Sequence, residues 1–207
     1  MKRESFVFAV SGTFFGLMIG WILGSQRAGA PVAPPPQAAA QTQGADGQEA
    51  PPPKIDDQRV AELQQAANAD PANGTARTDL GNLYADAKRY DLAIPWYEAA
   101  FKLRPKDVDL STDLAVAYYS TNQVDRALSQ LDASLAVDPR HLKALLNQGV
   151  IRAFGKRDAK GAFESWQKVT TLAPASDEAK IAKQGLDDLI AAHPELGTAR
   201  RAGGGGP

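Results

Sequence analysis

The 207 residues, 43% hydrophobic and 23% charged, suffice for one modest domain with additional segments. The formal net charge is -1 and no basic stripe occurs, which argues against nucleic acid as a partner. The absence of cysteine removes disulfides, Cys-based zinc sites, a lipoprotein anchor and a cysteine nucleophile together.

Residues 1–5 form a short charged start containing Lys2 and Arg3. From Phe6 to Gly24 there are 19 residues without a charge. Wound as a helix at about 1.5 Å per residue, they match the hydrocarbon thickness of a bilayer. A cleaved signal peptide is the alternative, since Ala28-Gly29-Ala30 resembles a cleavage site. Its apolar part would ordinarily run about 7–15 residues, and here Pro31 follows the site directly. We therefore expect residues 6–24 to be an uncleaved single-pass anchor. Lys2 and Arg3 flank one side, with only Arg27 near the other. The positive-inside rule then puts the N-terminus in the cytoplasm. In a bacterial host the remainder would lie in the periplasm, held at the inner membrane.

Gly12, Gly16, Gly20 and Gly24 recur every four residues, on one slowly drifting helix face. Such a strip lets a second helix approach closely, so homo-oligomerisation through the anchor, or a membrane partner, is expected. The plainer alternative is that glycine is common in membrane helices. Residues 25–53 are rich in Ala, Pro, Gln and Gly, with proline triplets at 34–36 and 51–53. No core can form from them. A semi-extended, disordered tether is expected, at about 3.1 Å per residue.

Residues 55–69 have a helical pattern. Val60, Leu63 and Ala67 share a face, and Asp70-Pro71 ends it. The next stretch sets the organisation of the chain. Leu80-Gly81 is followed by Tyr84, Ala93, Tyr97, Ala100 and Pro105. Pro71, Pro105 and Pro139 are spaced by 34, and Pro174 follows 35 later. Leu80 and Leu114, Tyr84 and Tyr118, and Ala93 and Ala127 are also 34 apart. From Val108 the chain keeps Leu114, Ala115, Tyr118, Ala127, Leu131 and Pro139; from Leu142 it keeps Gly149, Ala162, Trp166 and Pro174.

This order and period resemble the tetratricopeptide repeat family, whose marks are L-G-x-x-Y, A-x-x-x-F and a closing Pro. The resemblance implies an all-α solenoid of antiparallel helix pairs with a capping helix. It gives a domain over 54–193: a half-repeat at 54–71, repeats at 74–107, 108–141 and 142–175, and a capping helix at 176–192. Small Gly81 and Ala93 would sit where paired helices come closest, beside Tyr84 and Tyr97. Each proline would end a second helix, because it lacks the N–H that continues the ladder. Three stacked repeats are the usual minimum for covering the apolar faces.

The third repeat is the weakest match. Arg152 replaces the expected Tyr, and one extra residue separates Gly149 from Ala162. We expect that residue to lie in the turn-rich stretch Gly155-Lys156-Arg157-Asp158. Ser176 is the expected N-cap of the last helix, whose apolar face is Ile181, Leu186, Leu189 and Ile190. Residues 194–207 read as a disordered tail.

The sequence contains no P-loop, dinucleotide fingerprint, H-E-x-x-H or G-x-S-x-G. Adjacent carboxylates such as Asp56-Asp57 and Asp187-Asp188 point in different directions on a helix. His141 and His193 read as capping or surface residues at repeat boundaries. No catalytic, metal or cofactor site is expected, and an enzyme is not.

In the family, first helices line a concave groove that takes peptides or extended segments. Carried over by position, the lining is Thr78 and Asn82; Thr112, Asp113, Val116 and Tyr119; and Lys143, Leu146, Asn147 and Val150. Thr75, Asp79 and Asp109 join it at the edges. Val116, Tyr119, Leu146 and Val150 would form an apolar strip. The alternative places Val116, Leu146 and Val150 in the inter-repeat core. Some members clamp a C-terminal carboxylate with two Lys, two Asn and one Arg. Only Asn82 and Lys143 match, while Thr78, Asp113 and Asn147 stand at the other places. Asp113 would repel a carboxylate, so a chaperone-tail receptor is not expected.

The expected function is a membrane-tethered adaptor that holds a protein or peptide in assembly or quality control. In layout it resembles anchored periplasmic repeat proteins, including those that present apocytochrome for c-type maturation. The alternatives are a self-assembling membrane scaffold and a cleaved, soluble, chaperone-like periplasmic binder.

Overall fold

The computed structural model describes residues 54–197. The expected anchor with Gly12, Gly16, Gly20 and Gly24, the tether before residue 54 and the tail beyond 197 lie outside these residues. Among the described residues, no helix is long and apolar enough to cross a membrane.

The described chain is helical throughout. Its helices are α1 (Asp57–Ala69), α2 (Gly74–Asp86), α3 (Tyr90–Leu103), α4 (Val108–Ser120), α5 (Val124–Val137), α6 (Leu142–Val150), α7 (Ala159–Leu172) and α8 (Asp177–Ala192). A π-helical segment, Ile151–Lys156, continues α6 directly.

Local chemistry fixes where helices begin. Asn73, Asp107 and His141 occupy the same repeat position. Their side chains accept the N–H of Ala76, Leu110 and Ala144 at the start of α2, α4 and α6. Asp56, Asp158 and Ser176 do the same for α1, α7 and α8. Each cap satisfies one of the N–H groups a helix start leaves without an intrahelical partner.

The prolines fix where second helices end. Asp70, Arg104, Asp138 and Ala173 each precede a proline, and all four leave the helical region, with φ between -128 and -148. The proline ring clashes with a helical residue before it, so the chain must turn there. Inside each hairpin a left-handed residue makes the turn: Lys88, Asn122 and Arg157, with φ of 58, 61 and 57.

Packing follows the repeat. Leu80, Ala93, Tyr97, Leu114, Ala115, Ala127 and Leu131 are all at most 2% exposed. The predicted close approaches are real contacts. A Cβ added at Gly81 would lie 2.4 Å from the Tyr97 ring, and one at Gly149 would lie 2.2 Å from Trp166 Nε1. Glycine is the residue that lets the two helices of a pair meet here. Side-chain hydrogen bonds also join neighbouring helices. Gln148 donates to Asp132 at 2.7 Å and accepts from Ser165 at 2.8 Å, joining α5, α6 and α7.

Two expectations need correction. The extra residue of the third repeat does not form a loop. In the first two repeats the hairpin closes with Arg89 N–H on Tyr84 O and Gln123 N–H on Tyr118 O; in the third, Asp158 N–H reaches Arg152 O at 2.8 Å, one residue further. The residue is wound into the helix as a wide π turn, which leaves the helices on either side in register. The tail, expected from residue 194, instead begins with helical residues 194–197. Pro194 suits the first position of a helix, where no N–H is needed.

Candidate functional site

The first helices α2, α4 and α6 carry every predicted groove residue. They do not present them equally. Val116, Leu146 and Val150 are 6%, 1% and 3% exposed. The core alternative therefore holds for these three, and the predicted apolar strip is not an open surface. Thr112 and Asn147 are buried too, with Thr112 Oγ1 donating to Val108 O and Asn147 Nδ2 to Lys143 O. Short hydroxyl and amide side chains in a helix turn back onto the preceding turn when nothing else is in reach.

Thr78, Asn82, Asp113, Tyr119 and Lys143 remain half-buried. Two of them meet: Lys143 Nζ lies 2.7 Å from Asp113 Oδ1, joining α4 to α6. One turn away, His141 Nε2 lies 3.0 Å from Asp109 Oδ1. His141 Nδ1 accepts the Ala144 N–H, so a neutral ring carries its proton on Nε2, facing Asp109. On α2, Asn82 Oδ1 accepts from the Tyr97 hydroxyl at 2.8 Å, and Thr78 accepts from Arg104. Arg104 also pairs with Asp107 at 3.1 Å, which brings the start of α4 against α2.

Tyr119 is the outlier of the set. Its ring lies against the π segment, where a Cβ added at Gly155 would come within 3.0 Å of Cε2. Burial pushes its hydroxyl up to about 12 from an ordinary 10.0. Tyr118 also rises to about 12, first through burial and then through its hydrogen bond to Glu98. Burial raises Tyr97 as well. Both forms of the chain keep these phenols neutral below pH 10. Above that the unfolded chain ionises and the folded one resists, so the stability that Tyr118 and Tyr119 add is lost as pH rises from about 10 to about 12. A pH series of chemical denaturation read against tyrosinate absorbance should show this loss. A midpoint flat to pH 12 would contradict it.

The half-buried polar row can accept and donate hydrogen bonds to an extended backbone. It is not a carboxylate clamp. Asp113 stands in the way and already holds Lys143. Sequence reasoning missed a second polar region around Arg152, although the substitution of Arg for Tyr was the visible signal.

The tetratricopeptide repeat family model matches residues 84–149. The described domain is a tetratricopeptide-repeat solenoid. Hsp70-Hsp90 organizing protein 2 of Arabidopsis thaliana is 27% identical to this domain over 117 residues, 56% of the chain and 20% of that protein. The formate-dependent nitrite reductase complex subunit NrfG of Escherichia coli O157:H7 is 31% identical over 113 residues, 53% of the chain and 57% of that protein. The chain thus spans less than two thirds of either relative. Among solved structures, the first repeat domain of Spaghetti (RPAP3), bound to the HSP90 peptide SRMEEVD, superposes with a TM-score of 0.53 at 25% identity. That match covers 58% of this chain and 94% of the other.

Proposed function

We propose that this chain is a tetratricopeptide adaptor that receives a protein or peptide segment along α2, α4 and α6, while residues 6–24 tether it to a membrane. The observation that carries the groove is the row of half-buried polar side chains, Thr78, Asn82, Asp113 and Lys143, on helices held in 34-residue register. The RPAP3 domain, built on the same fold, holds an HSP90 peptide, which supports a peptide-binding use. The ligand differs in kind. With Asp113 across from Lys143, an internal stretch of chain suits this row better than a C-terminal carboxylate. NrfG, a subunit of an enzyme complex, supports a role in assembly.

The tether rests on the 19 uncharged residues from Phe6 to Gly24 and on Lys2 and Arg3 before them. In a bacterium it would leave the domain in the periplasm, with the glycine strip available for pairing anchors. Fractionation with intact-mass measurement of the mature protein tests it. An anchored chain stays with the membrane and keeps residues 1–30. A soluble product beginning near Pro31 would contradict the tether and favour a cleaved, chaperone-like binder.

A further inference from the structure

The third repeat departs from the first two at three places, and all three meet at one cleft. In repeat two, Arg126 lies 4.0 Å over the Tyr118 ring, and both Arg126 and the Tyr118 hydroxyl bond Glu98. Ring and charges close that seam internally. In repeat three, Arg152 takes the tyrosine position, and Gly161 takes the position of Arg126. The Arg152 side chain lies across the space this opens. A Cβ on Gly161 would come within 2.9 Å of its Cδ. The π turn is the third departure, and its last residue, Lys156, forms part of the wall. Wide turns of this kind occur often at functional sites.

The result is a cleft of about 570 Å³, walled by Leu128, Arg152, Lys156, Lys160, Asp158 and Glu164. Its cations are under-used. Arg152 donates one long bond, 3.4 Å to Gly161 O. Neither Arg152 nor Lys160 has a carboxylate within 4.0 Å among the described residues. Lys156 pairs with Asp125, and Asp158 caps α7 by accepting the Gly161 N–H. With Lys156 matched by Asp125, the cleft is left with Arg152 and Lys160 beside Asp158 and Glu164 and no net charge.

We propose that this cleft is a second binding site, which takes a single carboxylate of a protein partner. Arg152 offers the planar fork that matches a carboxylate with two parallel N–H bonds. Lys160 adds a point charge, and Leu128 covers the aliphatic stem of an acidic residue. Asp158 and Glu164 oppose a phosphate dianion or an anionic lipid surface more than a single carboxylate seated on the Arg152 fork. The site lies on α5, the π segment and α7, so it does not depend on the groove.

The test uses the full chain in phosphatidylcholine nanodiscs, with the Arg152 side-chain Nε–H signal followed by NMR. The probe is the peptide Ac-Glu-Leu-Glu-NH2, compared with Ac-Gln-Leu-Gln-NH2, inorganic phosphate and phosphatidylglycerol vesicles. We expect a saturable shift with the acidic peptide, with affinity on the order of 1 mM for so exposed a pair. The Gln peptide should bind at least tenfold more weakly. Arg152→Tyr restores the residue of the first two repeats and keeps the seam filled. Lys160→Gln leaves Arg152 in place. Binding, read on the peptide signals, should fall at least tenfold in the first and measurably in the second. An equal response to the Gln peptide, unchanged binding in Arg152→Tyr, or tighter saturation by phosphate or vesicles would each overturn the proposal.

Discussion

Trp166→Ala should destabilise the domain by about 3–5 kcal/mol, the range for emptying a large aromatic site in a core. The ring is 1% exposed, and its Nε1 donates to Leu146 O at 3.1 Å. It lies between two glycines on different helices, Gly149 of α6 and Gly185 of α8. Truncation therefore removes the filler of the third hairpin and the seat of the capping helix in one step. It also removes the hydrogen bond that Trp166 Nε1 adds to Leu146 O across the hairpin. For a chain of this size the thermal midpoint should fall by roughly 6–20 °C. Because repeats contact mainly their neighbours, the loss should concentrate in α6, α7 and α8. Hydrogen exchange of the full chain should show these helices opening while α2–α5 keep their protection. A drop of less than about 1 kcal/mol would mean that the ring does not pin the capping helix.

Gly149→Ala should also destabilise, although alanine is the better helix former. The propensity gain is about 1 kcal/mol. The new methyl would stand 2.2 Å from Trp166 Nε1 and 2.4 Å from Cδ1. The indole cannot retreat, because a Cβ at Gly185 on its far side would already lie 2.8 Å from Cζ3. Overpacking of a fixed ring typically costs about 1–3 kcal/mol, so the clash wins by a modest margin. The decisive comparison is the same change with Trp166→Ala in place. With the ring gone the clash goes too, and only the propensity gain remains. Gly149→Ala should then stabilise, and this reversal of sign is what a double-mutant cycle reads. Destabilisation of equal size in both backgrounds would show that the glycine serves something other than the indole.

The helix pairing was legible because period and residue size both report it. Prolines 34 apart mark the turns, and a small residue facing an aromatic marks each close approach, at Gly81 with Tyr97 and at Gly149 with Trp166. The extra residue of repeat three was legible as a count but not as a shape. Gly155 suggested a loop, whereas a π turn absorbs one residue without disturbing the helices around it. The groove was the least legible part. Position within a repeat says which helix carries a residue, but not whether its side chain meets solvent. Val116 and Val150 occupy groove positions and are buried. Asp113 and Lys143 lie 30 residues apart, and only the stacking of α4 on α6 shows that each neutralises the other. That pairing ties two groove positions on different repeats to each other.

The measurement that tests the adaptor reading most directly is photo-crosslinking in cells. A photoreactive phenylalanine replaces Tyr119 in the full chain, and a matched probe at exposed Lys168 on α7 serves as the control. Tyr119 is half-buried on α4 with its ring against the π segment, so an aromatic probe keeps its packing there. The account predicts one discrete foreign polypeptide joined from position 119 and absent from position 168. Only self-crosslinks, or nothing above the Lys168 control, would contradict the groove.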